Sequence, residues 1–181
     1  MKRFVLIALA LVAAACTKQS LQTTYDKQTS NIESFISAQL KSNAAASLVR
    51  KDGAYRLTLT QRSASADSLR TGGTVVLYYA CYTLTSSSVT NSNLVATNRE
   101  QIAKAAGWNL SDTGRYKPDT LTLDSHVLPG LAAGLAGVRA QEEGYILFTG
   151  KYGYEGRSKG TIPARSALAY HYWIEAISNE N

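Results

Sequence analysis

The stretch from Val127 to Ile177 (VLPGLAAGLAGVRAQEEGYILFTGKYGYEGRSKGTIPARSALAYHYWIEAI) prescribes an order of elements that few folds satisfy. Pro129 marks a helix start, where its missing N–H costs nothing. Leu131, Leu135 and Val138 follow at i, i+4 and i+7, so one face of a short amphipathic helix is buried. Gly134 and Gly137 weaken that helix but permit close approach to a sheet. Gly144 to Thr149 reads as a strand, and a Gly-rich loop opened by Tyr152 and Tyr154 comes next. Ala167 to Ile177 is a last aromatic strand. It carries Leu168, Tyr170, Tyr172 and Ile174 on one face, and His171, Trp173 and Glu175 on the other.

The residues before this stretch supply the rest of a sheet. Gly53 to Arg62 alternates apolar Tyr55, Leu57 and Leu59 with polar Arg56, Thr58 and Thr60, the pattern of a half-buried strand. Thr74 to Leu84 is apolar on both faces, which marks a central strand covered on both sides. Thr85 to Asn93 is a turn-rich loop, Arg99 to Ala106 a short helix, and Leu121 with Leu123 a brief strand. A hydrophobic fraction of 45% is enough for one domain with a real core. The predicted class is α+β: an antiparallel β-sheet wrapped around a short α-helix, with long loops at one end and an N-terminal helical extension.

The first fifteen residues read as an export signal. Lys2 and Arg3 precede twelve apolar residues, Phe4 to Ala15, too few for the about 20 that span a bilayer. Small residues Ala13, Ala14 and Ala15 sit directly before Cys16. This resembles a bacterial lipoprotein signal, in which the cysteine is lipidated and becomes the new N-terminus. Ala13 stands where Leu is usual, and an ordinary signal peptide with a chance cysteine is the alternative. Residues 16–22 are polar and read as a tether. Residues 23–45 read as a helical extension, with Ile32, Phe35, Ile36, Ala38 and Leu40 as a rough apolar stripe. That helix either packs on the domain, the favoured reading, or serves as a dimerisation or spacer arm. Residues 46–181 form the main domain.

Charge and metal-ligand chemistry exclude several functions. Net charge is +6, or +4 once Lys2 and Arg3 are removed, and the basic residues form no run or stripe. A nucleic-acid face is therefore not expected, and a mild attraction to anionic lipid headgroups is the simpler account. Cys16 and Cys81 are the two cysteines; with lipid on Cys16 no intrachain disulfide forms, and Cys81 reads as a small buried hydrophobe. His126 and His171 lack companions at metal-ligand spacing, so neither a zinc site nor another cofactor is expected.

Turn, short helix, strand, YGYEGRSKG loop and aromatic strand, together with GGTVVLYY, resemble FKBP-type peptidyl-prolyl cis-trans isomerases from about Gly53 to Ile177. The likeness is weak between Thr85 and Pro118. It implies a pocket with Tyr79 from the TVVLYY strand and two aliphatic residues, Val127 and Leu128, from the VLPG turn. Leu128 would offer its backbone N–H to the substrate carbonyl. Leu131 would stand at the pocket floor, where the family has tryptophan. Tyr154 would supply the ligand-bonding hydroxyl, and Ile162 and Tyr170 would complete the walls. The sequence departs from the family at LVATN, where Leu94 and Val95 replace a Phe-Asp pair, and at Ala164, where IPP has its second proline.

The resemblance implies an isomerase acting on X–Pro bonds of exported proteins, with proline-containing segments as substrates and a macrolide as a further ligand. The place implied is the bacterial envelope, lipid-anchored through Cys16, at the outer membrane on the periplasmic side. A proline-segment binding or chaperone module without turnover is the second reading. A structural lipoprotein that keeps only the fold is the third.

Overall fold

The computed structural model describes residues 2–62 and 67–180, with side chains from residue 19 onward. Seven strands form one fully antiparallel sheet: β1 (Ser47–Lys51), β2 (Ala54–Gln61), β3 (Thr74–Thr83), β4 (Leu94–Thr97), β5 (Asp119–Thr122), β6 (Glu142–Phe148) and β7 (Leu168–Ser178). The order across the sheet is β1-β2-β6-β7-β3-β4. β5 shares the far edge of β3: it pairs with Thr74–Leu77, while β4 pairs with Ala80–Tyr82. Among the described residues there are three α-helices: α1 (Lys2–Ser42), α2 (Glu100–Ala105) and α3 (Pro129–Leu135).

β1 is the strand that the sequence conceals. Its pattern is nearly all exposed, as suits a short polar edge strand. Asp52 and Gly53 both take positive φ, +48° and +80°, and close the β1–β2 hairpin as a two-residue turn. Gly53 is required twice over, because a Cβ there would lie 2.1 Å from the Tyr152 ring.

β3 is central and covered on both faces, as its two-sided apolar pattern predicts. Val75, Leu77 and Cys81 enter the main core with Leu135, Val138, Ile146, Phe148, Leu168 and Tyr172. Ala80 and Tyr82 enter a separate cluster with Leu94, under Ile102 and Trp108. The last strand keeps its expected faces as far as Ile174. A bulge against Val76 and Leu77 then shifts the register, so that Ile177 turns back toward the main core.

α3 presses closely on the sheet. A Cβ on Gly130 would lie 2.3 Å from Phe148 Cγ, and one on Gly134 would lie 2.2 Å from Ile146 Cγ2. Gly137 does not share this role; its φ of +91° turns the chain out of the helix, and Val138 is buried beyond the helix end.

α1 lies on the opposite face of the sheet. Ile32, Phe35 and Ile36 are buried against Leu57, Tyr145, Leu147 and Ala169, and the Phe35 and Tyr145 rings meet edge to face at 4.9 Å. The helix is thus packed on the domain. Ala38 and Leu40 depart from the expected stripe and are exposed, because they fall on the flank turned away from the sheet. The helix also continues through 16–22, where the sequence points to a polar tether. The Cys16 side chain and the rest of the signal lie outside the described side chains. No described helix is long and apolar enough to cross a membrane.

The same face carries a stack of rings. His171 lies between Tyr145 (4.2 Å) and Trp173 (3.8 Å), with Glu143 Oε1 3.2 Å from its Nε2. Burial draws the His171 pKa down to about 4, against the opposing pull of Glu143.

Two stability measurements test this packing. Ile32→Ala should lower unfolding free energy by about 2–5 kcal/mol, the usual cost of emptying a well-packed aliphatic site, read as a lower denaturant midpoint. His171 accepts a proton more readily unfolded than folded, so the fold loses stability as pH drops from about 6.5 toward 4. Unfolding curves at pH 7 and pH 5 should show that loss, and His171→Gln should reduce it.

Candidate functional site

A cavity of about 270 Å³ opens between α3 and the sheet face opposite α1. β3 contributes Leu77, Tyr79 and Cys81, and α3 contributes Leu131 and Leu135. Tyr170 and Tyr172 come from β7. Tyr154 and Ile162 come from the Gly-rich loop. Ala96 of β4 and Asp119 and Leu121 of β5 complete the rim.

Five of the seven expected site residues meet here: Tyr79, Leu131, Tyr154, Ile162 and Tyr170. Val127 and Leu128 do not line the cavity. Leu128 takes the N-cap of α3, where its carbonyl accepts the Ala132 N–H at 2.8 Å, and its side chain packs against the main core. The Val127 N–H donates to the Asp124 carbonyl across the preceding turn. Leu94 is also turned away, into the cluster beneath α2, so the LVATN segment presents Ala96 rather than Leu94 to the cavity. Leu77 and Cys81 on β3, Leu135 on α3 and Tyr172 on β7 share the faces of Tyr79, Leu131 and Tyr170, the residues the family resemblance implies. Asp119 has no such signal, because nothing local relates β5 to the mouth of this cavity.

The cavity's rings are held by the sheet. Tyr170 lies between Tyr79 and Phe148, with both centroid separations at 6.0 Å. The backbone of Tyr79 is fixed by side chains rather than by a neighbouring strand, since it falls in the gap between β4 and β5. The Asn98 carboxamide fills that gap: its Oδ1 accepts the Tyr79 N–H at 2.7 Å and its Nδ2 donates to the Leu77 carbonyl at 3.1 Å. Thr97 Oγ1 donates to the Tyr79 carbonyl at 2.7 Å. Asn98 is 3% exposed, and its amide stands in for a missing ladder rung.

The floor is tied to a buried polar network. Tyr172 donates its hydroxyl to Glu142 Oε1 at 2.6 Å, and the same oxygen accepts from Thr58 Oγ1 at 2.9 Å. Glu142 Oε2 accepts the Arg139 N–H at 3.1 Å. Arg56 approaches Glu142 at 3.9 Å and donates to the Ala136 carbonyl at 2.9 Å, at the end of α3. A carboxylate 4% exposed is tolerable because these donors replace its water.

Neither the cavity's tyrosines nor its cysteine is poised for proton transfer near neutrality. Burial raises the pKa of Tyr79, Tyr154 and Tyr170, and the Asp119 carboxylate adds to the rise at Tyr79. The Cys81 thiol is pushed up to about 12 by burial. The tyrosines remain neutral hydrogen-bonding hydroxyls, and Cys81 remains a thiol. Among the described residues no cluster of His, Cys, Asp and Glu could hold a metal ion. The arrangement suits an apolar ring whose attached polar group is met by hydroxyls at the rim.

No protein-family model matches the chain, and no curated protein matches it in sequence. Solved structures do match in fold. The three FKBP domains of wheat FKBP73 align with a TM-score of 0.57 at 10% identity, over 74% of this chain. The chain spans about half of that wheat chain, 51%. FkpA from Escherichia coli aligns with a TM-score of 0.57 at 13% identity, over 96% of this chain and 70% of FkpA. The N-terminal domain of FKBP42 from Arabidopsis thaliana aligns with a TM-score of 0.51 at 17% identity, over 74% of this chain and 92% of that one. The chain therefore has an FKBP-like fold.

Cys81 reports on whether the cavity wall is closed. In a Cys16→Ser background at pH 8, a thiol reagent should leave the folded protein unlabelled and label it fully in denaturant, followed by mass.

Proposed function

We propose that the chain is an FKBP-type peptidyl-prolyl cis-trans isomerase acting on X–Pro bonds of exported proteins. The observation that carries this reading is the apolar, tyrosine-walled cavity between α3 and the sheet of an FKBP-like fold. A prolyl amide resists rotation by about 18–20 kcal/mol because resonance keeps it planar. Its planar form is more charge-separated than its twisted form. A water-poor pocket that takes the prolyl ring therefore destabilises the planar ground state relative to the transition state. No proton need move, which agrees with hydroxyls held neutral and a thiol held at about 12. In this reading Tyr79, Leu131, Ile162 and Tyr170 form the walls. Tyr154 binds the substrate's carbonyl from the rim.

Binding without turnover is the second reading, for which a specific observation speaks. β4 offers Ala96 rather than a carboxylate, and Leu131 leaves the floor without an aromatic ring. At about 270 Å³ the cavity is small for a macrolide, which would enter only in part. In either reading we place the protein in the bacterial envelope, held at the outer membrane by lipid on Cys16. The apolar run from Phe4 to Ala15 and the small residues before Cys16 support that location.

A proline-limited refolding assay tests the proposal. The protein should accelerate the slow phase, which takes tens to hundreds of seconds uncatalysed. Ala96→Phe, which fills the cavity, and Tyr154→Ala, which opens its rim, should each lower kcat/KM about tenfold or more, a loss of about 1.4 kcal/mol of transition-state stabilisation. Absence of any acceleration at micromolar protein would remove the enzyme reading. Retained binding of a prolyl peptide would then select the second.

A further inference from the structure

Tyr154 and Ile162 are carried by the long loop between β6 and β7, and that loop has a narrow neck. Gly150 and Arg165 face each other there, so closely that a Cβ on Gly150 would lie 2.3 Å from the Arg165 carbonyl oxygen. Inside the neck, the Glu155 N–H donates to the Gly150 carbonyl at 2.9 Å, and the Arg165 N–H donates to the Glu155 carbonyl. Glu155 and Arg165 both hold positive φ, +50° and +61°, a conformation unfavourable for side chains other than glycine. The closed neck is strained and needs an external tie.

That tie comes from the N-terminal helix. The Gly150 N–H donates to Gln28 Oε1 at 2.9 Å, and Gln28 Nε2 donates to the Arg165 carbonyl at 2.6 Å. One carboxamide therefore spans both sides of the neck, from a residue more than a hundred positions earlier in the chain. Gln28 lies one helical turn before Ile32, whose burial fixes α1 on the sheet. Asn31 makes a separate bond from the same helix, donating to the Thr85 carbonyl at 3.2 Å, away from this loop.

We infer that Gln28 is a positioning residue for the cavity: its carboxamide closes the neck of the loop that carries Tyr154 and Ile162. The docked N-terminal helix thereby sets the shape of the site on the opposite face of the sheet. A motion that lifts α1 releases the neck and lets Tyr154 and Ile162 leave the wall. The inference rests on the cavity being the prolyl site.

The test compares Gln28→Ala, Gln28→Glu and Asn31→Ala in the full chain. The readouts are melting temperature, amide hydrogen exchange at Gly150, Glu155 and Arg165, and kcat and KM on a prolyl tetrapeptide. Gln28→Ala should speed exchange at all three amides and raise KM about three- to tenfold, with kcat nearly unchanged, the effect of losing one or two weak hydrogen bonds. Gln28→Glu keeps an acceptor for Gly150 but loses the donor to Arg165. It should leave the Gly150 N–H protected and speed exchange at the Arg165 N–H, whose bond to the Glu155 carbonyl loosens once the Arg165 carbonyl is released. Asn31→Ala, which removes a docking bond of the same helix away from the neck, should lower the melting temperature and leave KM and the neck amides unchanged. Unchanged exchange at the neck in Gln28→Ala would overturn the inference. So would equal KM shifts in Gln28→Ala and Asn31→Ala, which would mark a general loss of helix docking. A wild-type protein with no turnover and no peptide binding would overturn the isomerase reading, and the exchange data would still decide whether Gln28 closes the neck.

Discussion

The short helix α3 touches the sheet at a distance that only glycine permits, and the cavity depends on that contact. Gly130 and Gly134 let the helix backbone settle on Phe148 and Ile146 of β6. Leu131 and Leu135 reach over the neighbouring strands from the same seven-residue helix. Close contact on one flank and a gap on the other leave a hollow instead of a filled core. Raising the helix by one methyl group at either glycine would shift every residue that α3 presents to the hollow. Arg56 fixes the far end of the helix by bonding the Ala136 carbonyl, so α3 has little freedom to slide.

Two kinds of polar group are kept apart around this hollow. Tyr79 and Tyr154 line the hollow, while the charged network around Glu142 lies behind its floor. Tyr172 belongs to both: its ring lines the cavity and its hydroxyl points away to Glu142. A buried carboxylate with several donors is held more by geometry than by net energy, because desolvation offsets most of the attraction. What it gives the fold is a fixed position for β2, β6, β7 and the end of α3. The Tyr172 ring can then line an apolar hollow while its hydroxyl is satisfied behind the floor.

Much of this arrangement was legible in the residues, and the illegible parts have common physical causes. The two-sided pattern of β3, the Pro129 helix start and the alternating β7 are local signals, and each gave the right element and face. Tyr79, Leu131 and Tyr170 came from the family resemblance laid over those elements. β1 was hidden because an exposed edge strand has no apolar alternation to reveal it. The family resemblance placed Val127 and Leu128 at the wall, but neither lines the hollow; Leu128 sits half-buried at the N-cap of α3. Asn98 was unreadable for a different reason. Its carboxamide completes a ladder in a gap between two strands more than twenty residues apart, and no local pattern announces such a gap.

The solved structures of similar fold are 10–17% identical to this chain, so what persists between them is an arrangement of elements rather than a set of residues. A site built on proton transfer fails when one acid or base is lost. A hollow that acts by excluding water tolerates exchange of its walls as long as they remain apolar and the space stays open. Leu131 and Ala96 fit that rule: each keeps the wall apolar while changing the depth of the hollow. Replacing an aromatic floor with Leu131 lowers the contact area available to a prolyl ring but does not let water in. Such a change acts first on affinity. How firmly the loop holds Tyr154 at the rim is set elsewhere, by the loop's neck rather than by the floor.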